Sequence, residues 1–310
     1  MSTAPRAVLA QLPRAPGVYR FRDARGRALY IGRATDLRSR VGSYWSDLRD
    51  RRHLRRMVPQ ITGIEAVVCA SVHESTWLER NLLERSRPRW NRAVGGAEVP
   101  VCIALTRVNG VPRLTVVHWP VAGPAAEVTF GPYLGGAKTR LAVSALDRVL
   151  PLRYTDDRLA GCQRDLARVR GIDLADREVL LTTILAVLHR QNPQIDAVRD
   201  QLADLRDRAA GRLAFELAAR IQQEIEAIDW VVAEQRMTAP AGDDAEIHGW
   251  ADGLLVSFRV RGGRVCGWEQ RRCARADAQP YLDRTPAAWA EFAARSAELG
   301  GRLAQPGSMP

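Results

Sequence analysis

Lysine is almost missing from this 310-residue chain: of 46 basic residues only Lys138 is a lysine. A bias that complete reads as the coding habit of a GC-rich genome, so an arginine where a lysine is customary carries little weight by itself. The five cysteines (69, 102, 162, 266 and 273) are odd in number, scattered and without a CxxC pair. That argues against a disulfide framework or a structural zinc site and for a reducing compartment. No stretch approaches 18 consecutive apolar residues, which excludes a membrane-spanning helix. Met1 to Arg14 lacks the apolar run of a secretory signal, so a cytoplasmic protein is expected. No glycine loop ending in GK[ST] is present, so no nucleotide cofactor is implied, and no G-x-S-x-G is found. The histidines at 53, 73, 118, 189 and 248 show no metal-ligand spacing.

What remains is a composition of 46% apolar and 26% charged residues, that of a globular chain long enough for two or three domains. The net charge of +11 is unevenly placed. Residues 1–92 contain 19 arginines against eight acids, which accounts for all of it; the remainder is balanced. The first third of the chain therefore suits a polyanionic partner.

Residues 17–32, GVYRFRDARGRALYIG, read as two strands around a turn, with Asp23 and Gly26 at favoured turn positions. A symmetric hairpin about Ala24 and Arg25 sets Tyr19 opposite Tyr30, and a glycine bulge at Gly26 would shift the pairing by one. A helix follows Gly32, with Leu37, Val41, Tyr44 or Trp45 and Leu48 as its buried stripe. A strand over 64–69 and a helix over 74–85 capped near Ser71 come next. Strands are expected within 100–133, ending at FGPY, and helices over 140–150 and 178–190. Residues 195–236 read as two antiparallel helices broken at Gly211, with an apolar seam. MTAPAGDDAE (237–246) looks like a linker, followed by a hairpin turning on Gly262 and Gly263 and a helix from Thr285 to Gly300.

APGVY (15–19), YIG (30–32), Arg40, Glu79 within WLERNLLE and Asn91 within RPRWN occur in the order and spacing of the GIY-YIG endonucleases, and the chain resembles that family. Within it, the likeness is closest to the UvrC group of excinucleases. PRLTVV (112–117), FGPY (130–133) and RVLPLR (148–153) resemble that group's connecting segment, and LAFELAARIQQEIEAI (213–228) resembles its UVR helical hairpin. The resemblance covers the front half of the full-length group members, as in their shorter Cho-type relatives, and leaves out the RNase H-type nuclease. It implies an α+β chain in four parts: a GIY-YIG nuclease domain over 1–94, with a small antiparallel sheet flanked by helices; a mixed connecting region over 95–194; a UVR-like helical hairpin over 195–236; and a truncated C-terminal segment, a β-hairpin plus helix, over 237–310. Two departures stand out: Arg33 replaces the usual lysine, and Cys162 alone replaces a four-cysteine cluster, so no Fe–S cluster is implied.

The resemblance makes Tyr19, Tyr30, Arg33, Arg40 and Asn91 the catalytic set and Glu79 the ligand of one divalent cation, Mg²⁺ or Mn²⁺. Tyrosine is a weak base at its ordinary value of about 10, so Tyr30 is expected to be made acidic by nearby positive charge. Arg33 and Arg40, seven apart on the expected helix, share one face toward it. Arg49, Arg51, Arg52, Arg55, Arg56, Arg85, Arg87, Arg89 and Arg92 would contact phosphates of damaged double-stranded DNA, with a salt slope of roughly −0.9 per contact. Phe215, Leu217, Ile221 and Ile225 would dock a UvrB-like helicase subunit, the alternative being that they pack on this protein's own domains. The expected function is a lesion-selective endonuclease of nucleotide-excision repair that makes one incision on the 3′ side of the lesion, in the cytoplasm and associated with the nucleoid. The alternative is a non-catalytic DNA-binding adaptor for that helicase subunit.

Overall fold

The computed structural model describes residues 6–46, 54–91, 99–108, 110–120 and 127–304. The chain divides into two units, Met1–Ala97 with Glu234–Pro310, and Glu98–Ala233.

The first unit starts with a short helix, α1 (Arg6–Gln11), and a hairpin of β1 (Gly17–Arg22) and β2 (Ala28–Ala34). Its turn is built by Asp23, whose carboxylate accepts from the backbone N–H groups of Arg25 and Arg27, and by Gly26 at φ +73°. That left-handed glycine makes a bulge, and the ladder slips between Phe21 and Arg22. Phe21 consequently faces Tyr30 and Tyr19 faces Gly32, a two-residue displacement from the symmetric pairing expected from the sequence. An even displacement preserves the face, so Tyr19 and Tyr30 still share a side of the sheet. β2 runs on to Ala34, and the helix α2 (Leu37–Gly42) begins only after the Asp36 side chain caps Ser39 N–H. Arg33 is thus a strand residue and shares no helix face with Arg40, contrary to expectation.

β3 (Gly63–Val68) completes an antiparallel sheet of order β2-β1-β3. α3 (Val72–Arg85) starts where Ser71 Oγ accepts from Glu74 N–H at 3.0 Å while Glu74 accepts from Ala70 N–H at 2.5 Å, two otherwise orphaned donors satisfied together. At the other end of the chain, β7 (Ala245–Ala251), β8 (Leu254–Arg261) and β9 (Arg264–Arg272) form a second antiparallel sheet, with Gly262 and Gly263 both left-handed at the last turn. This is one strand more than the two-stranded hairpin expected. α9 (Arg275–Leu282) and α10 (Ala287–Ala304) follow. Leu299 and Leu303 of α10 lie in the same core as Val8, Leu12, Tyr19, Phe21, Leu37 and Ile64. Arg20 of β1 is buried: it donates to Glu65 at 2.5 Å and to the Trp268 carbonyl at 2.8 Å, and stacks 4.2 Å from the Trp268 ring. The C-terminal segment, set apart in the sequence, is therefore part of the unit that holds the nuclease-like hairpin.

The second unit places the antiparallel sheet β4 (Val101–Val108), β5 (Val111–His118) and β6 (Val128–Tyr133), ordered β5-β4-β6, with α4 (Gly136–Val149), α5 (Cys162–Arg170) and α6 (Arg177–Leu188). The long helical stretch is α7 (Asn192–Gly211) and α8 (Phe215–Val232). The left-handed residue of their connection is Leu213, at φ +61°, and not Gly211. Glu224 of α8 is buried, accepting from Ser144 Oγ at 2.7 Å and from Arg148 Nε at 2.6 Å, so the hairpin is pinned to α4 by a charged hydrogen-bond network. Ile221, 2% exposed, belongs to the core with Leu146, Ile184 and Leu202, and Ile225 packs against it.

Because α10 packs against β3 in the core of the first unit, Leu299→Ala should destabilise that unit by about 2–5 kcal/mol, as a large-to-small change in a closed core does. Denaturant unfolding monitored by tryptophan fluorescence would register this as a lower midpoint; an unchanged midpoint would show that α10 is only an appendage.

Candidate active site

The sheet face shared by Tyr19 and Tyr30 is where the polar side chains gather. Tyr19 crosses β2 directly over Gly32: a Cβ there would lie 2.5 Å from the Tyr19 hydroxyl and 2.7 Å from the Tyr30 ring. Only glycine permits that approach. The Tyr19 and Tyr44 hydroxyls are 2.7 Å apart, and the rings of Tyr19, Tyr30 and Tyr44 lie 5.9–6.2 Å from one another. Tyr44, considered in the sequence only as a buried stripe position, is a member of this cluster. Its position four residues beyond Arg40 was the available signal, because that spacing returns to one side of a helical turn. The Arg40 guanidinium lies 5.8 Å from the centre of the Tyr44 ring.

α3 supplies the carboxylate. Val72, Ser75 and Glu79, spaced by three and four, line the same cleft as Tyr30, Arg33, Ala34, Thr35 and Arg40, with a volume of about 470 Å³. Glu79 Oε1 accepts from the Arg33 backbone N–H at 3.1 Å, and Oε2 pairs with Arg33 Nε at 3.2 Å. Arg33 Nη1 also donates to Thr76 Oγ1 at 2.6 Å, a contact that nothing in the sequence pattern announced. Asn91 stands at the open edge of the sheet: its side-chain carbonyl accepts from Ile31 N–H at 3.0 Å and its amide donates to the Ile31 carbonyl at 2.8 Å. It pairs with β2 as a neighbouring strand would, holding Tyr30 and Gly32 in place without entering the cleft.

The electrostatics differ from expectation in one respect. Burial, then Tyr44, then the Glu79 carboxylate raise the Tyr30 phenol well above its ordinary value, and Arg40 only partly offsets them. Tyr30 therefore carries its proton in the cation-free protein rather than being acidic. Tyr19 and Tyr44 are raised as well, chiefly by burial. Burial also raises Glu79, against the pull of Arg33.

Among the described residues no group of three or more His, Cys, Asp or Glu could hold a metal ion. A single carboxylate opening on a wet cleft does not suit zinc, which takes three or four protein ligands. It does suit Mg²⁺, which is bound through one or two carboxylates and keeps several waters. The remaining expected residues separate into two sets. Arg55, Arg56, Arg85, Arg87 and Arg89 are exposed on the first unit, while Arg49, Arg51, Arg52 and Arg92 lie outside the described residues. Of the four seam residues, Phe215 and Leu217 are 64% and 45% exposed, but Ile221 is closed into the core and Ile225 lies against it, leaving those two little surface for a partner.

A tyrosine-rich hairpin, a helix arginine, a helix carboxylate and an edge-bracing asparagine define a GIY-YIG endonuclease domain, and residues 15–92 match the family of UvrC-like GIY-YIG domains. Residues 15–92 are thus a UvrC-like GIY-YIG domain. The chain is 30% identical over 312 residues to the UvrABC system protein C of Mycobacterium marinum, covering 94% of this chain and 47% of that protein. Against the UvrABC system protein C of Moorella thermoacetica it is 30% identical over 273 residues, 84% of this chain and 44% of that one. The chain thus spans about half the length of the curated relatives it matches. Among solved structures, the GIY-YIG N-terminal endonuclease domain of UvrC from Thermotoga maritima, with its catalytic magnesium, is 31% identical; the match covers 29% of this chain and 99% of that one, at a TM-score of 0.27.

The buried tyrosines make a prediction about alkali. Their folded-state values lie above the unfolded value of about 10, so the stability they contribute is complete below that pH and is lost as pH rises through the folded values. A phenolate absorbance titration should show Tyr19, Tyr30 and Tyr44 ionising only together with loss of the folded near-UV signal. Early, independent ionisation of this cluster would contradict its burial.

Proposed function

We propose that the chain is a divalent-cation-dependent endonuclease of nucleotide-excision repair that nicks damaged double-stranded DNA once, on the 3′ side of the lesion. The observation that carries this reading is the convergence of Tyr30, Arg40 and Glu79 on one cleft in a strongly basic unit. Tyr30 must first give up its own phenol proton to solvent, and its phenolate Oη then accepts the proton of the attacking water. Because the Glu79 charge is one of the influences keeping the phenol protonated, compensation of that carboxylate makes Tyr30 a better base. Arg40 offers its forked donors to the phosphate, a contact that strengthens as charge develops. Glu79 would hold one Mg²⁺ or Mn²⁺, which supplies positive charge to the phosphate and the departing 3′ oxygen. The exposed arginines at 55, 56, 85, 87 and 89 hold the duplex through its phosphates, giving affinity without base readout.

The UVR-like hairpin docks a UvrB-like helicase subunit through Phe215 and Leu217, the part of the seam left in solvent. A second reading, a non-catalytic adaptor, draws on those same exposed residues. The two separate in one experiment: a lesion-bearing duplex incubated with Mg²⁺ or Mn²⁺, with and without the helicase subunit, and assayed for a nick. Nicking supports the enzyme; binding without nicking under every condition supports the adaptor.

Tyr30→Phe removes the base but keeps the ring, and should lower the nicking rate by about a hundredfold or more. Glu79→Ala should abolish nicking and cation binding together; full activity of either variant, or wild-type nicking in EDTA, would overturn the assignment. Phe215→Ala should weaken helicase-subunit binding by about 1–3 kcal/mol. Its melting temperature should stay within about a degree or two of wild type, since an exposed side chain contributes little to folding. A sharp loss of melting temperature with partner binding intact would make Phe215 an internal packing residue instead.

A further inference from the structure

Arg33 is placed unusually for a residue expected to act on Tyr30. It already has two partners, and one of them is the carboxylate that the nuclease reading assigns to a cation. Glu79 is largely buried, its side chain 13% exposed, while the Arg33 side chain is 47% exposed. An inward carboxylate in this setting needs a compensating charge, and the Arg33 guanidinium is the charge that reaches it. Thr76 holds the guanidinium from the other side. Its hydroxyl spends its own proton on the Val72 carbonyl at 2.8 Å and so presents a lone pair to Arg33 Nη1 at 2.6 Å. A planar guanidinium can serve both partners at once, where a lysine ammonium would act as a point charge with no fixed fork.

We propose that Arg33 and Thr76 form a latch on Glu79: Arg33 is a positioning residue that occupies the carboxylate until a divalent cation displaces it, and is then released to a DNA phosphate. This rests on the nuclease reading above. The backbone N–H of Arg33 stays on Oε1 whatever the side chain does, because β2 fixes it. The guanidinium has no such restraint. It is repelled by a doubly charged ion a few ångström away, and it already lines the cleft that Tyr30 and Arg40 share. Cation binding and phosphate contact are in this way coupled through one side chain. Removing the guanidinium should make the cation bind more tightly, although it removes a residue of the active site.

The test uses the full chain and Mn²⁺, whose binding is read directly by electron paramagnetic resonance without DNA or turnover. Arg33→Gln should bind Mn²⁺ about three- to tenfold more tightly than wild type, since a partly buried ion pair no longer competes. Thr76→Val, which keeps both charged groups, should shift affinity the same way by a smaller factor. It carries the test if Arg33→Gln melts early. In a Tyr30→Phe background that leaves DNA intact, Mn²⁺ should strengthen duplex binding, and Arg33→Gln should remove most of that gain. Mn²⁺ binding that is unchanged or weaker in both Arg33→Gln and Thr76→Val overturns the latch while leaving the nuclease reading standing. Mn²⁺ binding by wild type that Glu79→Gln does not diminish overturns both.

Discussion

The nuclease-like unit is organised around a backbone-to-ring approach. Tyr19 passes over Gly32 at a distance no side chain could tolerate, and that approach decides where Tyr30 and Tyr44 can lie. Phe21 packs beneath, 4.9 Å from the Tyr44 ring centre, so that the polar rim of the cluster rests on an apolar floor. Asn91 then fixes the strand that carries Gly32 by closing its free edge. Ring packing, glycine and edge clamp are one device: each is needed for the others to hold the hydroxyls in a fixed arrangement.

Charge inside the molecule follows a single pattern with one informative exception. Glu74, Glu79 and Glu224 are each drawn inward and each meets an arginine, Arg236, Arg33 and Arg148 in turn. Around Glu74 and Glu224 the remaining oxygen valences are spent on the backbone of Ala70 and Arg236, or on Ser144 and a bidentate Arg148. These are structural ties. Glu79 instead lines a cleft, beside a half-exposed arginine. What sets Glu79 apart from these two braces is the cleft on which it opens, not burial of the acid itself.

The UVR-like hairpin shows how far an apolar seam can be shared. Its middle, at Ile221 and Ile228, is used up by the core of the second unit, and Glu224 anchors it there through α4. Near the turn, at Leu213, Phe215 and Leu217, the seam emerges into solvent. The two antiparallel helices are thus a core element along their middle and solvent-exposed at their tip.

Much of the site was legible in the sequence, because its signal is spacing: Tyr19 to Tyr30, Arg40, Glu79 and Asn91 are local features of strand, turn and helix. So were most elements, through apolar period and turn chemistry, including the Ser71 cap and the break between α7 and α8. What the sequence did not reveal depends on distances between segments remote along the chain. The hairpin register turned on a bulge that only the folded turn selects. Arg33 looked helical because its strand continues two residues past Gly32, a boundary set by sheet pairing rather than propensity. Tyr30 looked acidic because positive residues are near it in sequence, whereas burial and Glu79 are near it in space. And the C-terminal segment looked like a remnant, since nothing local says that Leu299 and Leu303 will join the core that holds Tyr19 and Phe21. Local periodicity is written in the order of residues; desolvation, register and core completion arise only when distant parts of the chain exclude water together.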